Sequence, residues 1–219
     1  MSAAEAERLR GTRRRSDRDR FTVGAALIRL VVAGYLGGSP RAVEVDRSCD
    51  RCGLQHGRPR LPAAPELRTS LSHSGERVVL AVARHAEVGV DVEILTMSKD
   101  PGTLARRILS EAELDDWTRL PHHDRRPALK TYWTRKEALV KATGEGLRTP
   151  LSAITVSPPS APAALIAWPG HPGVVGRTGM RALRGGEGYV AHLAVVGLPR
   201  PEVVERDAGP LLARGGWTP

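Results

Sequence analysis

Apolar residues return at helical spacing from Asp17 onward: Phe21, Gly24, Ala25, Ile28, Val31, Val32 and Tyr35 share one face, and Gly37-Gly38-Ser39-Pro40 ends the pattern. An amphipathic helix is predicted there. Residues 51–65, rich in Gly, Pro and Arg, read as a loop; a short apolar run, 67–71, and a polar turn, Ser72-His73-Ser74-Gly75, follow. Residues 78–83 and 88–94 are short and rich in Val, Leu and Ile, which predicts two strands lying side by side in a sheet. A turn over 99–102 is the expected division between an N-terminal half, 1–98, and a C-terminal half, 99–219. Helices are predicted over 104–109, 111–120 and 128–142, the second opened by a Ser110/Glu113 capping box and the third stopped at Gly144. Four strand-like runs, 152–156, 164–168, 180–183 and 189–196, fill the C-terminal part, and the Pro- and Gly-rich tail after Leu198 is expected to be loosely held. The fold class predicted is α+β.

Composition narrows the picture. With 219 residues, 41% hydrophobic and 26% charged, the chain can bury a real core, which excludes wholesale disorder; aromatic residues at 4% leave that core to Val, Leu, Ile and Ala. The longest apolar stretch, 23–36, is interrupted by Arg29 and by glycines, and the Arg-rich start lacks the apolar segment of a secretory signal, so a cytoplasmic protein with no membrane span is expected. The formal charge is +9, and only four of the 33 basic residues are lysines; three of those four, Lys130, Lys136 and Lys141, fall within twelve residues. Lys99 is the fourth. Cys49 and Cys52 form a C-x-x-C with His56 nearby, three ligands where structural zinc usually takes four, and the pair reads as loop thiols in a reducing compartment.

Three places carry candidate chemistry. In Gly89-Val90-Asp91-Val92-Glu93-Ile94 the strand period of two puts Asp91 and Glu93 together on one face, an arrangement that suits a hard divalent ion such as Mg²⁺ or, equally, a solvated polar face. On the helix through Tyr132-Trp133-Thr134-Arg135-Lys136-Glu137-Ala138-Leu139-Val140-Lys141, Lys136 falls in the middle of the apolar arc, so it must snorkel or meet an anion from another element. Glu137 and Lys141, one turn apart, read as a surface ion pair if nothing else approaches them. Ser72-His73 and the Gln55-His56-Gly57-Arg58-Pro59 segment offer polar groups suited to phosphate.

Taken in order, these segments closely resemble the Sfp-type 4′-phosphopantetheinyl transferases. The resemblance spans about residues 18–151 and rests on Asp19-Arg20-Phe21, the Cys52-Gly53 to Pro59 loop, Ser72-His73-Ser74, Gly89-Val90-Asp91-Val92-Glu93, Leu109-Ser110-Glu111-Ala112-Glu113, Trp133-Thr134-Arg135-Lys136-Glu137 with Lys141, and Gly144-Glu145-Gly146-Leu147. It implies two similar α/β halves packed as a pseudo-dimer with the active site between them. It implies transfer of the phosphopantetheine arm of coenzyme A to a serine of an acyl, peptidyl or aryl carrier protein, in polyketide, nonribosomal peptide or fatty acid synthesis, with release of adenosine 3′,5′-bisphosphate. By position, Asp91, Glu93 and Glu137 would hold Mg²⁺, and Lys141 would face the same phosphates. Ser72, His73, Arg20 and Arg58 would bind coenzyme A phosphates, with Pro59 near the adenine; Glu137, a metal-bound water or Glu113 would take the serine proton. Leu109 stands where these enzymes carry Phe and Arg58 where Lys is common, and their further strand before the first helix has no counterpart in the sixteen residues here. A monomer is expected, since one chain holds both halves. The basic charge alone also fits nucleic-acid binding, which lacks aromatic interleaving here, and the acids alone fit another Mg²⁺-dependent phosphoesterase.

Overall fold

The computed structural model describes residues 2–49, 52–96 and 100–214. A first helix, α1 (Ala3–Gly11), begins with a capping box in which the Ser2 hydroxyl accepts from the Glu5 N–H and the Glu5 carboxylate from the Ser2 N–H. The predicted amphipathic helix is α2 (Arg15–Leu36), ended by Gly37 in the left-handed conformation. Arg29, the cation inside its apolar run, is buried and donates to both oxygens of Glu5 at 3.0 and 2.8 Å, so α1 is held to α2 by a paired charge. Strands β1 (Asp46–Ser48), β2 (Gln55–Arg60), β3 (Leu67–Ser74), β4 (Arg77–Arg84) and β5 (Glu87–Ile94) follow, then α3 (Pro101–Ile108), α4 (Glu111–Arg119) and α5 (His122–Thr143). The chain continues through β6 (Thr155–Val156), β7 (Leu165–Ala167), α6 (Pro172–Val175), β8 (Thr178–Leu183), β9 (Tyr189–Val196) and α7 (Gly209–Arg214). The chain is α+β, as its alternation predicts.

Two helices of 22 residues each organise the molecule. Ile28, Val32 and Ala33 of α2 pack with Leu67, Leu71, Leu80 and Val82 of the antiparallel β3–β4 hairpin. Helix α5 lies on a three-stranded antiparallel sheet of order β5-β9-β8, and its Leu129, Tyr132, Leu139 and Val140 join the largest core cluster with Trp117, Ile154 and Trp168. The approach of α5 to β5 is set by Gly89: a Cβ there would lie 2.0 Å from the Ala138 carbonyl oxygen and 2.4 Å from the Ala142 nitrogen, so only a residue without a side chain lets the helix this close. The sheet joins strands from both sides of the expected 98/99 division; the residues at that point, Met97, Ser98 and Lys99, lie outside the described residues, and Asp100 caps α3.

β3 runs alongside the edge of β5 in the same direction. Its alternate serines reach across: the hydroxyls of Ser70, Ser72 and Ser74 accept from the backbone N–H groups of Val90, Val92 and Ile94 at 3.0, 3.4 and 3.1 Å. Side chains thus satisfy edge donors that a neighbouring strand would otherwise take.

The structure departs from the sequence pattern at several points. The supposed loop 51–65 contains β2, a polar strand paired with β1, where the bare Gly57 admits the Ser48 carbonyl oxygen to 2.7 Å of its absent Cβ. The Ser72-His73-Ser74 segment is the end of β3, and the turn falls on Gly75 and Glu76. β4 and β5 are not ladder neighbours, because β4 pairs with β3 while β5 pairs with β9. Helix α5 starts at His122, six residues before the predicted start, and carries Pro127 as its sixth residue, where the missing N–H leaves the His123 carbonyl without its usual helical donor. The tail does not hang free over its described part: Leu211 of α7 is buried against Leu27 and Leu30, and Pro201 is buried beside Gly179.

Candidate active site

Three elements converge where β3, β5 and α5 meet. On β5 the two-residue period turns Gly89, Asp91 and Glu93 toward α5, and the contact at Gly89 brings the helix down onto the two acids. Lys141 reaches over from α5: its Nζ lies 2.6 Å from Asp91 Oδ1, 3.0 Å from Ser72 Oγ and 3.1 Å from the Val90 carbonyl oxygen. Ser72 Oγ donates to the same Asp91 Oδ1 at 2.7 Å. The second carboxylate oxygen, Asp91 Oδ2, is buried with no hydrogen-bond partner. Glu93 Oε2 accepts from Lys130 Nζ at 2.8 Å and from Ser74 Oγ at 3.3 Å.

The electrostatics follow from this crowding. Burial, with a smaller contribution from Glu93, raises the Asp91 carboxyl above its ordinary value, against Lys141 and Ser72, which pull it down. Glu137 is raised too, first by burial and then by the negative charge of Asp91 and Glu93. Glu137 and Lys141 therefore do not behave as a surface pair; the lysine turns to Asp91, and the glutamate feels the two strand acids. The three carboxylates do not share one point. Among the described residues, the His, Cys, Asp or Glu ligand atoms that lie within 4.8 Å of one another in sets of three or more are those of Cys49, Cys52 and His56. The chemistry of the donors suits a hard cation all the same: Asp91 Oδ2 is a buried carboxylate oxygen without a hydrogen-bond donor, and Glu137 lies near enough to feel the negative charge of Asp91 and Glu93.

The remaining candidates divide. Exposed His73, at the end of β3, is held below the ordinary histidine value by surrounding packing and then by the Arg20 and Lys141 charges. Arg20, from α2, donates to the Gly75 carbonyl at 2.7 Å and pairs with Asp17. Arg58, on β2, is engaged within the protein: it pairs with Glu87 at 2.5 Å and donates to the carbonyls of Ala142 and Val88 at 3.2 and 3.3 Å. Pro59 follows it on the same strand, its carbonyl accepting from Thr69 Oγ1 at 3.4 Å. Glu113 belongs to a different cluster: Oε1 accepts from the Val156 N–H at 2.7 Å, and Oε2 accepts from the Ser110 N–H at 2.8 Å and from Lys136. Lys136, fully buried, also donates to the carbonyls of Ile108 and Leu151 at 2.6 and 3.0 Å; it meets its anion rather than snorkelling.

Sequence reasoning passed over Lys130, Ser74 and His192. The first two had signals: Lys130 is seven residues, about two helical turns, before Glu137, and Ser74 continues the alternate serines of β3. His192, opposite Asp91 in the β5–β9 pairing, is visible only through that pairing; its ring meets Thr134 Oγ1 at 2.7 Å and accepts from Arg135 Nε at 3.3 Å.

Comparison with known proteins adds the kinship. A sequence profile described as the 4′-phosphopantetheinyl transferase superfamily matches residues 87–193, the stretch that holds β5, α5 and the first part of β9. The chain is 35% identical over 133 residues to the 4′-phosphopantetheinyl transferase HetI of Nostoc sp., covering 59% of this chain and 54% of that protein. It is 31% identical over 160 residues to a 4′-phosphopantetheinyl transferase of Bacillus subtilis, covering 71% and 66%. Among solved structures, the holo-[acyl-carrier-protein] synthase of Thermotoga maritima aligns at a TM-score of 0.41 and 22% identity, over 51% of this chain and 63% of that one. The chain spans between about half and two thirds of the length of the two sequence relatives. With the Asp91–Glu93 strand and the Lys136–Lys141 helix both inside the matched region, the chain belongs to the Sfp-type 4′-phosphopantetheinyl transferase family.

Proposed function

We propose that this protein transfers the 4′-phosphopantetheine group of coenzyme A to a serine of an apo acyl, peptidyl or aryl carrier protein and releases adenosine 3′,5′-bisphosphate. In this reading residues 1–98 and 99–219 act as two halves with the site at their junction. The observation that carries the proposal is the Ser72–Asp91–Lys141 contact, which joins β3, β5 and α5 at one buried carboxylate with Glu137 beside it.

Displacement at phosphorus asks a protein mainly to position reactants and to neutralise charge on the phosphate oxygens. Asp91, Glu93 and Glu137 would hold Mg²⁺, which when bound polarises the pyrophosphate of coenzyme A. Lys141, about a quarter exposed, has the mobility to turn from Asp91 to the departing bisphosphate and stabilise it. Glu137, its pKa raised, is the better placed of the two carboxylate candidates to take the carrier serine's proton, because both oxygens of Glu113 already accept structural hydrogen bonds. His73, biased to the neutral form, would act as a hydrogen-bond donor to phosphate, with Ser72 and Arg20 beside it. Arg58 and Pro59 would bind the nucleotide end, Arg58 exchanging part of its contact with Glu87 for the 3′-phosphate. Carrier and metabolic setting remain those of the polyketide, nonribosomal peptide or fatty acid class, acting in the cytoplasm as a monomer.

The test is mass spectrometry of a panel of apo carriers incubated with the protein, coenzyme A and Mg²⁺. A carrier heavier by one phosphopantetheine is expected. Asp91→Ala and Glu137→Ala are expected to abolish the shift while keeping the circular-dichroism spectrum of the parent. No shift on any carrier, or full activity in either variant, would sink the assignment. Cleavage of coenzyme A or DNA without a carrier would instead identify a phosphoesterase.

A further inference from the structure

The hairpin that carries Arg58 ends in a group of side chains that the transfer reaction leaves unused. The Cys49 N–H donates to the Leu54 carbonyl and the Gly53 N–H donates to the Cys49 carbonyl, each at 2.9 Å. Gly53 has φ of 69°, a left-handed conformation that a side chain would resist. The reversal carries the chain back on itself, so that His56 Nε2 comes to 3.1 Å from Cys52 Sγ, and the ligand atoms of Cys49, Cys52 and His56 all lie within 4.8 Å of one another. No disulfide joins the two cysteines.

Two sulfur donors and an imidazole form a soft set that favours zinc over the hard cations suited to carboxylates. A tetrahedral Zn²⁺ with ordinary bond lengths sets two thiolates and an imidazole nitrogen about 3.6–3.8 Å apart. The observed spacings need change by only about an ångström to meet that geometry. We propose that Cys49, Cys52 and His56 form a Zn²⁺ site whose fourth position is open to water or an external ligand. Cys52 and His56 are exposed, so the open position faces solvent.

The site has a mechanical use. β1 and β2 share just two register pairs, Asp46↔Arg60 and Ser48↔Gln55, with an irregularity between them, and so short a ladder is marginal by itself. A metal tying residues 49 and 52 to residue 56 closes the hairpin at its tip and orders β2, the strand of Arg58 and Pro59. This holds whether or not the chain transfers phosphopantetheine.

The full chain, reduced and stripped of metal, is titrated with Zn²⁺ against a chromogenic chelator, then with Co²⁺. One Zn²⁺ per chain is expected, together with the near-ultraviolet thiolate-to-cobalt absorption and slower amide exchange over 52–60 with Zn²⁺ bound. Cys49→Ser, Cys52→Ser and His56→Ala should each weaken binding about a hundredfold or more, beyond the effect of losing an outer-shell partner. The metal-free variants should melt with the metal-free parent, which separates ligand loss from misfolding. Unchanged affinity in either cysteine variant, cobalt spectra without thiolate absorption, or exchange rates indifferent to Zn²⁺ would overturn the site.

Discussion

A lysine with no exposed surface needs acceptors for all three of its protons, and Lys136 has them in Ile108, Leu151 and Glu113. Burial still holds its pKa below the ordinary lysine value, while Glu113 draws it back up. Lys141, five residues on, keeps part of its surface in solvent and grips a carboxylate that lacks a partner on its other oxygen. The same residue type is sealed in the core in one place and open to solvent in the other. His192 makes a measurable case. Burial and the Arg135 charge lower its pKa to about 3. The unfolded chain takes up that proton near the ordinary value of about 6.5, so between there and the folded value the unfolded state binds more protons and stability falls as pH falls. Urea unfolding from pH 7.5 to 5 should show this group removing about 1.4 kcal/mol per pH unit below its unfolded pKa, and a foldable His192→Gln variant should lose that share of the slope. Parallel curves for parent and variant would refute it.

At the level of elements, the seating of α5 on β5 decides whether the candidate site exists. Gly89→Ala places a methyl against the backbone of Ala138 and Ala142, which cannot give way as a flexible side chain would. Overpacking of this kind costs about 1–3 kcal/mol or more. The expected outcome is a lowered denaturation midpoint together with loss of carrier modification, since Lys141 and Glu137 move with the helix. An unaltered midpoint would mean that the helix is not held as described. Elements with strong periodicity were legible from the letters: α2, α4 with its capping box, β4, β5 and β9 fall close to their predicted positions, and α5 matches at its C-terminal end but starts six residues earlier. β2 was not, because Gln55-His56-Gly57-Arg58-Pro59-Arg60 has no apolar alternation and owes its extension to β1. α1 was overlooked although Ser2 and Glu5 spell its cap. Of the site, Asp91, Glu93, Glu137 and Lys141 could be named from motif and period. The partner His192 depends on which strand pairs with β5, information held in the topology, whereas Lys130 and Ser74 follow the helical and strand periods already visible in the letters.

Across the whole molecule the charge of +9 gains a direction. Carrier proteins are often acidic, and a net positive enzyme attracts such a partner over distances that salt shortens. Turnover efficiency on a carrier is expected to fall as ionic strength rises from about 0.01 to 0.5 M, with the Debye length shrinking from about 30 Å toward 4 Å. A flat profile would argue against steering. The serine seam between β3 and β5 has a consequence of another kind. Its hydroxyls repeat every two residues, at the same interval of roughly 6.7 Å as the N–H groups they meet. A seam so uniform would tolerate sliding by one notch, with Ser70 facing Val92 and Ser72 facing Ile94. Ser72 and Ser74 each also donate to a carboxylate of β5, Asp91 and Glu93, but of the three serines only Ser72 accepts from a lysine, Lys141, which also grips Asp91, and that direct contact is what tells one notch from the next. The Ser72–Asp91–Lys141 cluster thus works as a vernier mark for the assembly of the molecule, and a chain whose strands have slipped is by the same token a chain in which that cluster does not form.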